Sequence, residues 1–255
     1  MIWRERQAER GRSAFAVIRV HAGEEPLAEA VAGRIAAIAA EAVATRSRFD
    51  LGLSGGRTPV ALYRRLAAEP WRSRVDWARA EVWFADERAV PPDDPESNYR
   101  LVRETLVAPL GLDAGRVHRM RGEDPDLESA ARDYDAELTE PLDALVLGVG
   151  EDGHIASIFP GSPLTMERTR KVAAVLEAPK PPPRRLTITP RVIREARAVL
   201  VLATGAAKAR AVAQALEGAA DIRHLPARML REYEWFIDRA AAAGLARGSA
   251  VAEPD

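Results

Sequence analysis

The amino-acid sequence predicts an α/β protein: an open, mostly parallel sheet with helices on both faces. Two observations carry that prediction. Short apolar, β-rich runs alternate with Ala/Leu/Arg/Glu stretches of helical spacing, the order expected when helices connect parallel strands. One run, Leu142–Val149, is almost unbroken apolar, as suits a strand covered on both faces. In chain order the expected elements are strand Ala14–Val20, helix Pro26–Ala44, strand Phe49–Leu53 and helix Pro59–Ala68, whose Pro59 suits a first helical turn. Strand Glu81–Ala85 and helices Ser97–Val107 and Asp126–Thr139 follow, then strand Leu142–Val149. Strands Lys171–Leu176, Arg185–Thr189 and Ala198–Ala203 come next, and helix Ala206–Glu217 completes the pattern. Two proline segments interrupt it. Pro91–Pro95 is a rigid loop after a strand, and Pro179-Lys180-Pro181-Pro182-Pro183 can be neither helix nor central strand.

The chain has 255 residues, 47% hydrophobic and 29% charged, which excludes disordered, collagenous and low-complexity classes. At this length roughly 75% of the unfolded surface can be buried, so no disulfide or metal staple is needed. Neither proline segment marks a composition shift, so residues 1–247 read as one α/β domain, with 248–255 expected to be a disordered tail. Basic and acidic residues balance at 37 and 38, which gives no support to nucleic-acid or anionic-membrane binding. Only Lys171, Lys180 and Lys208 are lysines among the basic residues, so a lone arginine carries little information and a lysine somewhat more. The absence of cysteine excludes disulfides, thiolate metal sites and cysteine nucleophiles. With no apolar run near the ~18 residues of a membrane span and no apolar leader at the N-terminus, a soluble cytoplasmic protein is expected.

Ligands of open α/β sheets bind beyond the carboxyl ends of the strands, so chemistry is expected on the post-strand loops. Ser54-Gly55-Gly56-Arg57-Thr58 runs from a strand into a helix. Its glycines let backbone approach a ligand, and the free N–H groups of the helix start suit an anion such as phosphate. A capped glycine turn reads equally well, and Gly52-x-Ser54-x-Gly56 also matches a nucleophile elbow, although no upstream oxyanion motif accompanies it. Asp86-Glu87-Arg88 places charge where a strand ends, either in a site or simply in solvent. Gly148-x-Gly150-x-x-Gly153 has dinucleotide spacing, yet Glu151 and Asp152 would repel a pyrophosphate and Pro160-Gly161 breaks the required helix. His154, beside Asp152 in that loop, is a candidate general base oriented by a carboxylate, or a structural histidine. A metal held by Asp152 and His154 lacks a third ligand. Lys208 opposes the dipole of the helix it starts, which fits either a bound anion or an ordinary surface lysine.

Together these loops resemble the 6-phosphogluconolactonase branch of the glucosamine-6-phosphate isomerase/deaminase superfamily. The matching strings are Ser54-Gly55-Gly56-Arg57-Thr58-Pro59, Asp86-Glu87-Arg88-Ala89-Val90-Pro91 with Ser97-Asn98-Tyr99, and the highly specific Gly148–Gly161. Pro183-Arg184-Arg185-Leu186-Thr187, Gly205-x-x-Lys208, Leu225-Pro226-Ala227 and Trp235-Phe236-Ile237-Asp238 extend the likeness over about residues 26–244. Deaminases follow Asp-Gly-His with Ile-Ala-Phe-Asn-Glu-Pro and carry Asp-Glu-Tyr, whereas this chain has Ile155-Ala156-Ser157-Ile158-Phe159-Pro160 and Asp86-Glu87-Arg88. Ile155 and Arg57 depart mildly from the lactonase pattern.

The resemblance implies a Rossmann-like sheet related to ribose-5-phosphate isomerase and CoA transferases. It implies hydrolysis of 6-phospho-D-glucono-1,5-lactone without cofactor or metal. The implied partner is the sugar-phosphate lactone alone, with no nucleic acid, membrane or obligate protein partner. Residue by residue, it puts the substrate phosphate on Ser54, Gly55, Gly56, Arg57 and Thr58, with Lys208, Arg185 and less securely Thr187 as further contacts. His154 would be the base, Asp152 its orienting carboxylate, Arg88 the oxyanion partner and Asp86 a positional group near the sugar hydroxyls. Three other readings make different demands: a sugar-phosphate sensor without turnover, a serine esterase through Ser54, and a deaminase releasing ammonia.

Overall fold

The computed structural model describes residues 17–246 and the short strand Val251–Ala252. In chain order its strands are β1 (Val17–His21), β2 (Phe49–Leu53), β3 (Ala80–Phe84), β4 (Asp86–Arg88), β5 (Val117–His118) and β6 (Ala144–Gly148). β7 (Val172–Val175), β8 (Arg185–Ile188), β9 (Val199–Ala203), β10 (Glu234–Asp238) and β11 (Val251–Ala252) complete the set. Eight of them form one sheet in the order β11-β1-β10-β9-β6-β2-β3-β5, every pairing parallel. All five residues of β2 and of β9 are buried, and four of the five in β6, because helices and loops cover both faces of the sheet centre.

Connections leaving β2 and β6 diverge. β2 leads to β3 on one side, while β6 leads to β9 on the other. Right-handed crossovers then put the two connections on opposite faces, which opens a crevice at the carboxyl ends of the adjacent strands β2 and β6. The opposite end of these strands is closed by ion pairs: Arg48 clasps Asp50 at 2.6 and 2.8 Å, Asp50 Oδ1 also accepts from Trp83 Nε1 at 2.9 Å, and Arg46 meets Asp143.

The principal helices are α1 (Glu24–Arg46), α2 (Pro59–Leu66), α3 (Asn98–Val102), α4 (Leu127–Glu137), α5 (Pro190–Glu195) and α6 (Ala209–Leu216). α1 buries Leu27, Val31, Ile35 and Ile38 together with Ala28, Ala32, Ala36, Ala39 and Ala42; the alanines admit close packing against the sheet. Side-chain caps fix several starts: Ser97 accepts from Arg100 N, Asp126 from Ser129 N and Thr189 from Arg191 N. Trp235, Tyr63, Phe49, Phe84 and Phe236 are among the largest fully buried side chains. No helix of the described residues is long and apolar enough to cross a membrane.

Several expectations are corrected. β7 and β8, expected among the parallel strands, belong to a separate antiparallel sheet in the order β4-β8-β7. Asp86–Arg88, expected as loop, is the third strand of that sheet, since β8 supplies a backbone partner that its charged side chains do not advertise. β5 and β10 have no counterpart among the strands that periodicity predicts. The helix expected over Ser97–Val107 widens into a π-turn at Arg103–Val107, and the one over Ala206–Glu217 starts as a tight turn, Ala206–Lys208. Ala14–Ala16 of the first expected strand, and the expected tail except β11, lie outside the described residues.

Candidate active site

The crevice at the ends of β2 and β6 is a pocket walled by the loop after β2, by β4 and β8, by the loop after β6 and by the turn before α6. On the first wall, β2 delivers Ser54–Thr58 to the start of α2. Gly55 cannot be replaced there, because a Cβ would lie 1.8 Å from Asn98 Oδ1, and Gly56 takes a left-handed φ of 96°. Tyr63 donates to the Ser54 carbonyl at 2.5 Å, while Ser54 Oγ is buried without a hydrogen-bond partner. Thr58 Oγ1 lies 3.2 Å from Thr204 Oγ1, and Asp238 accepts from Gly205 N at 2.9 Å. Those contacts set the turn that presents Lys208. Burial pushes the Lys208 ammonium pKa down, and Glu151 opposes that shift.

The second wall explains the Asp-Glu-Arg triplet. Along β4 alternate side chains point apart, so Asp86 and Arg88 line the pocket while Glu87 turns away from it. Glu87 is buried and accepts from Arg88 N, Asn98 N, Tyr99 N and Ser97 Oγ at 2.7, 2.7, 2.8 and 3.0 Å, anchoring the start of α3. Burial pushes the Glu87 carboxyl pKa up against those four donors. Asn98, fixed in this way, donates to Asp86 Oδ1 at 3.1 Å, and Ser157 Oγ donates to Asp86 Oδ2 at 2.7 Å. Arg88 donates to the Glu96 carbonyl, but its buried Nε has no partner. Ser54 and Arg88 thus both line the pocket, and each has a buried side-chain donor without a hydrogen-bond partner among the described residues.

The third wall holds the histidine. His154 Nδ1 lies 2.5 Å from Asp152 Oδ1, and Lys180 Nζ lies 3.0 Å from Asp152 Oδ2. Burial works against the Asp152 carboxylate, but the His154 hydrogen bond and charge, then Lys180, hold it well below the usual range. The ring packs on Phe159 at 4.7 Å between centroids. Gly153, at φ 79°, turns the chain, and Ala156 adopts φ 46°, a strained value for a residue with a Cβ. That bend brings Ile155 and Ile158 into a bridge. No helix follows Gly153, so the dinucleotide spacing lacks its anion-binding helix.

Of the residues singled out from sequence, all but Asp152 and Thr187 line this pocket: Ser54, Gly55, Gly56, Arg57, Thr58, Asp86, Arg88, His154, Arg185 and Lys208. Asp152 reaches it through His154. Arg185 is less free than expected, since Nε and Nη2 donate to the carbonyls of Pro182, Lys180 and Pro181, and Nη1 reaches Ser157 Oγ at 3.4 Å. Thr187 is fully buried and accepts from Ser157 N, so it supports the wall without lining the pocket. Asn98, Ser157 and Lys180 carry contacts that the sequence reading gave no role. Ser54 lacks the hydrogen-bonded base that a nucleophilic serine requires. Among the described residues no three His, Asp or Glu side chains converge as metal ligands would.

Known proteins fit this architecture. Residues 22–237 match the family model described as glucosamine-6-phosphate isomerases/6-phosphogluconolactonase. A 6-phosphogluconolactonase from Streptomyces coelicolor is 40% identical over 89% of this chain and 94% of its own, and the Homo sapiens 6-phosphogluconolactonase is 39% identical over 89% and 92%. The solved 6-phosphogluconolactonase of Trypanosoma brucei superposes with a TM-score of 0.81 at 28% identity, covering 91% of this chain and all of that one. The chain belongs to the glucosamine-6-phosphate isomerase/6-phosphogluconolactonase family, on its 6-phosphogluconolactonase branch.

Proposed function

We propose that this chain hydrolyses 6-phospho-D-glucono-1,5-lactone to 6-phospho-D-gluconate, the second step of the oxidative pentose phosphate pathway, with His154 as the base. The observation that supports this most is one pocket lined by His154, whose Nδ1 meets Asp152, together with Ser54, Arg57, Arg88 and Lys208. The substrate phosphate is assigned to Ser54–Thr58 and Lys208, with Arg185 a firmly held cation beside it. Donation of Nδ1–H to Asp152 leaves His154 Nε2 as the acceptor for a proton from water. The water oxygen then bonds to C1, and the carbonyl electron pair moves onto oxygen, where Arg88 is placed to stabilise it. Collapse breaks the bond from C1 to the ring oxygen, and His154 returns its proton to that leaving oxygen. Asp86, held by Asn98 and Ser157, is assigned to the sugar hydroxyls. One base at about 10²–10⁴-fold and one oxyanion donor at about 10²–10³-fold supply a substantial acceleration. The test is the rate at which freshly generated lactone gives 6-phosphogluconate with and without the protein near pH 7. Turnover well above the spontaneous rate, with unphosphorylated gluconolactone a much poorer substrate, is expected. No enhancement would overturn the reading.

A further inference from the structure

Against 34 arginines the chain has three lysines, and two of these stand at the site: Lys208 lines the pocket and Lys180 meets Asp152. Lys180 belongs to the proline segment that the assigned roles leave unused. Asp152 divides its oxygens, Oδ1 to His154 Nδ1 at 2.5 Å and Oδ2 to Lys180 Nζ at 3.0 Å. The segment carrying Lys180 is pinned. Buried Arg185 donates to the carbonyls of Lys180, Pro181 and Pro182 at 3.1, 3.0 and 2.9 Å, and Ala178 N donates to Pro183 O at 2.7 Å. Prolines restrict the remaining backbone freedom.

We infer that Lys180 is a positioning residue for the base: it holds Asp152 in register with His154 and offsets the carboxylate's charge beside the imidazole. This rests on His154 being the base. A carboxylate beside an imidazole favours the protonated ring, and a cation on that carboxylate weakens the preference. The other charged side chains lining this pocket are Lys208, Arg57, Asp86, Arg88 and Arg185, and Glu151 acts on Lys208 from beside it. None of them changes when Lys180 alone is replaced.

The experiment compares wild type, Lys180→Met and Lys180→Arg by NMR titration of the His154 ring and by kcat/KM against pH. Because Lys180 is 43% exposed, solvent screens its charge, and the expected rise in the His154 midpoint in Lys180→Met is about half a pH unit. The acid limb of kcat/KM moves with it, lowering activity about threefold on that limb and little on the plateau above it, while Lys180→Arg returns the limb toward wild type. An unmoved titration, or a raised KM with an unmoved acid limb, would overturn the inference alone. No turnover by wild type would overturn it together with the proposed function.

Discussion

Gly150→Ala adds one methyl group where the loop after β6 passes closest to the imidazole. Its Cβ would lie 2.0 Å from His154 Nδ1, 2.2 Å from His154 Cε1 and 2.6 Å from Asp152 Oδ1. Ordinary contacts between such atoms are about 3.5 Å, so the clash is roughly 1–1.5 Å deep on both partners of the pair. The ring and carboxylate must part, which removes a charge-assisted hydrogen bond of about 1.5–3 kcal/mol and takes the base out of line. Gly150 is not one of the left-handed glycines, so the alanine backbone itself is unstrained. Damage is thus confined to the His154–Asp152 pair, and the Ser54–Thr58 loop on another wall of the pocket is untouched. Turnover of the phosphorylated lactone at pH 7 should fall by about 10²–10⁴ in kcat, with KM changed by less than about threefold. Urea unfolding measured on the same samples should show a stability loss below about 3 kcal/mol. A Gly150→Ala protein with wild-type kcat would refute the placement of His154 and Asp152 in the chemistry.

Other expectations follow from the same geometry. Ser54→Ala removes one buried donor that the proposed function assigns to the substrate phosphate, and steady-state kinetics should show KM raised about 10–100-fold with kcat little changed. Glu87→Ala strips the acceptor from four donors at the start of α3, and chemical denaturation should show a loss of about 3 kcal/mol or more. The depressed Asp152 pKa means that folding favours its ionised form. Its contribution is full above the unfolded value near about 3.9 and is lost as pH falls through the depressed folded value. Melting temperatures of wild type and Asp152→Asn should therefore converge as pH is lowered from about 5 toward 2, and a gap that widens would contradict the sign.

Sequence periodicity served best where burial is two-sided. Phe49–Leu53 is the strand β2 residue for residue, and Leu142–Val149 contains β6, because fully covered strands leave apolar runs. It served least where long-range pairing decides. Asp86–Arg88 carries three charges and becomes a strand only because Arg185–Ile188 lies alongside, pairing Arg88 with Arg185 almost a hundred positions away. The same pairing converts an Asp-Glu-Arg triplet into two site residues and one helix anchor, a split that follows from strand alternation once the strand is known. Glu234–Asp238 gives a weak strand signal, because polar Arg231–Tyr233 precede it and Glu234 opens it, although its Trp235-Phe236-Ile237 centre is wholly buried in β10. At the site, local glycine patterns announced Ser54–Thr58 and His154. Asn98 had a signal in Ser97-Asn98-Tyr99, but its function depends on Glu87 anchoring α3 and on the missing Cβ of Gly55. Lys180 had only its rarity among arginines, since its approach to Asp152 depends on the clasp that Arg185 puts on the proline segment.

The most direct test of the account compares wild type with His154→Ala in hydrolysis of freshly generated 6-phosphogluconolactone at neutral pH. The account predicts wild-type turnover well above the spontaneous rate and a loss of about 10²–10⁴-fold in the variant, with the fold retained by circular dichroism. A folded His154→Ala protein that turns over at the wild-type rate would contradict it and send the search for the base to Asp86.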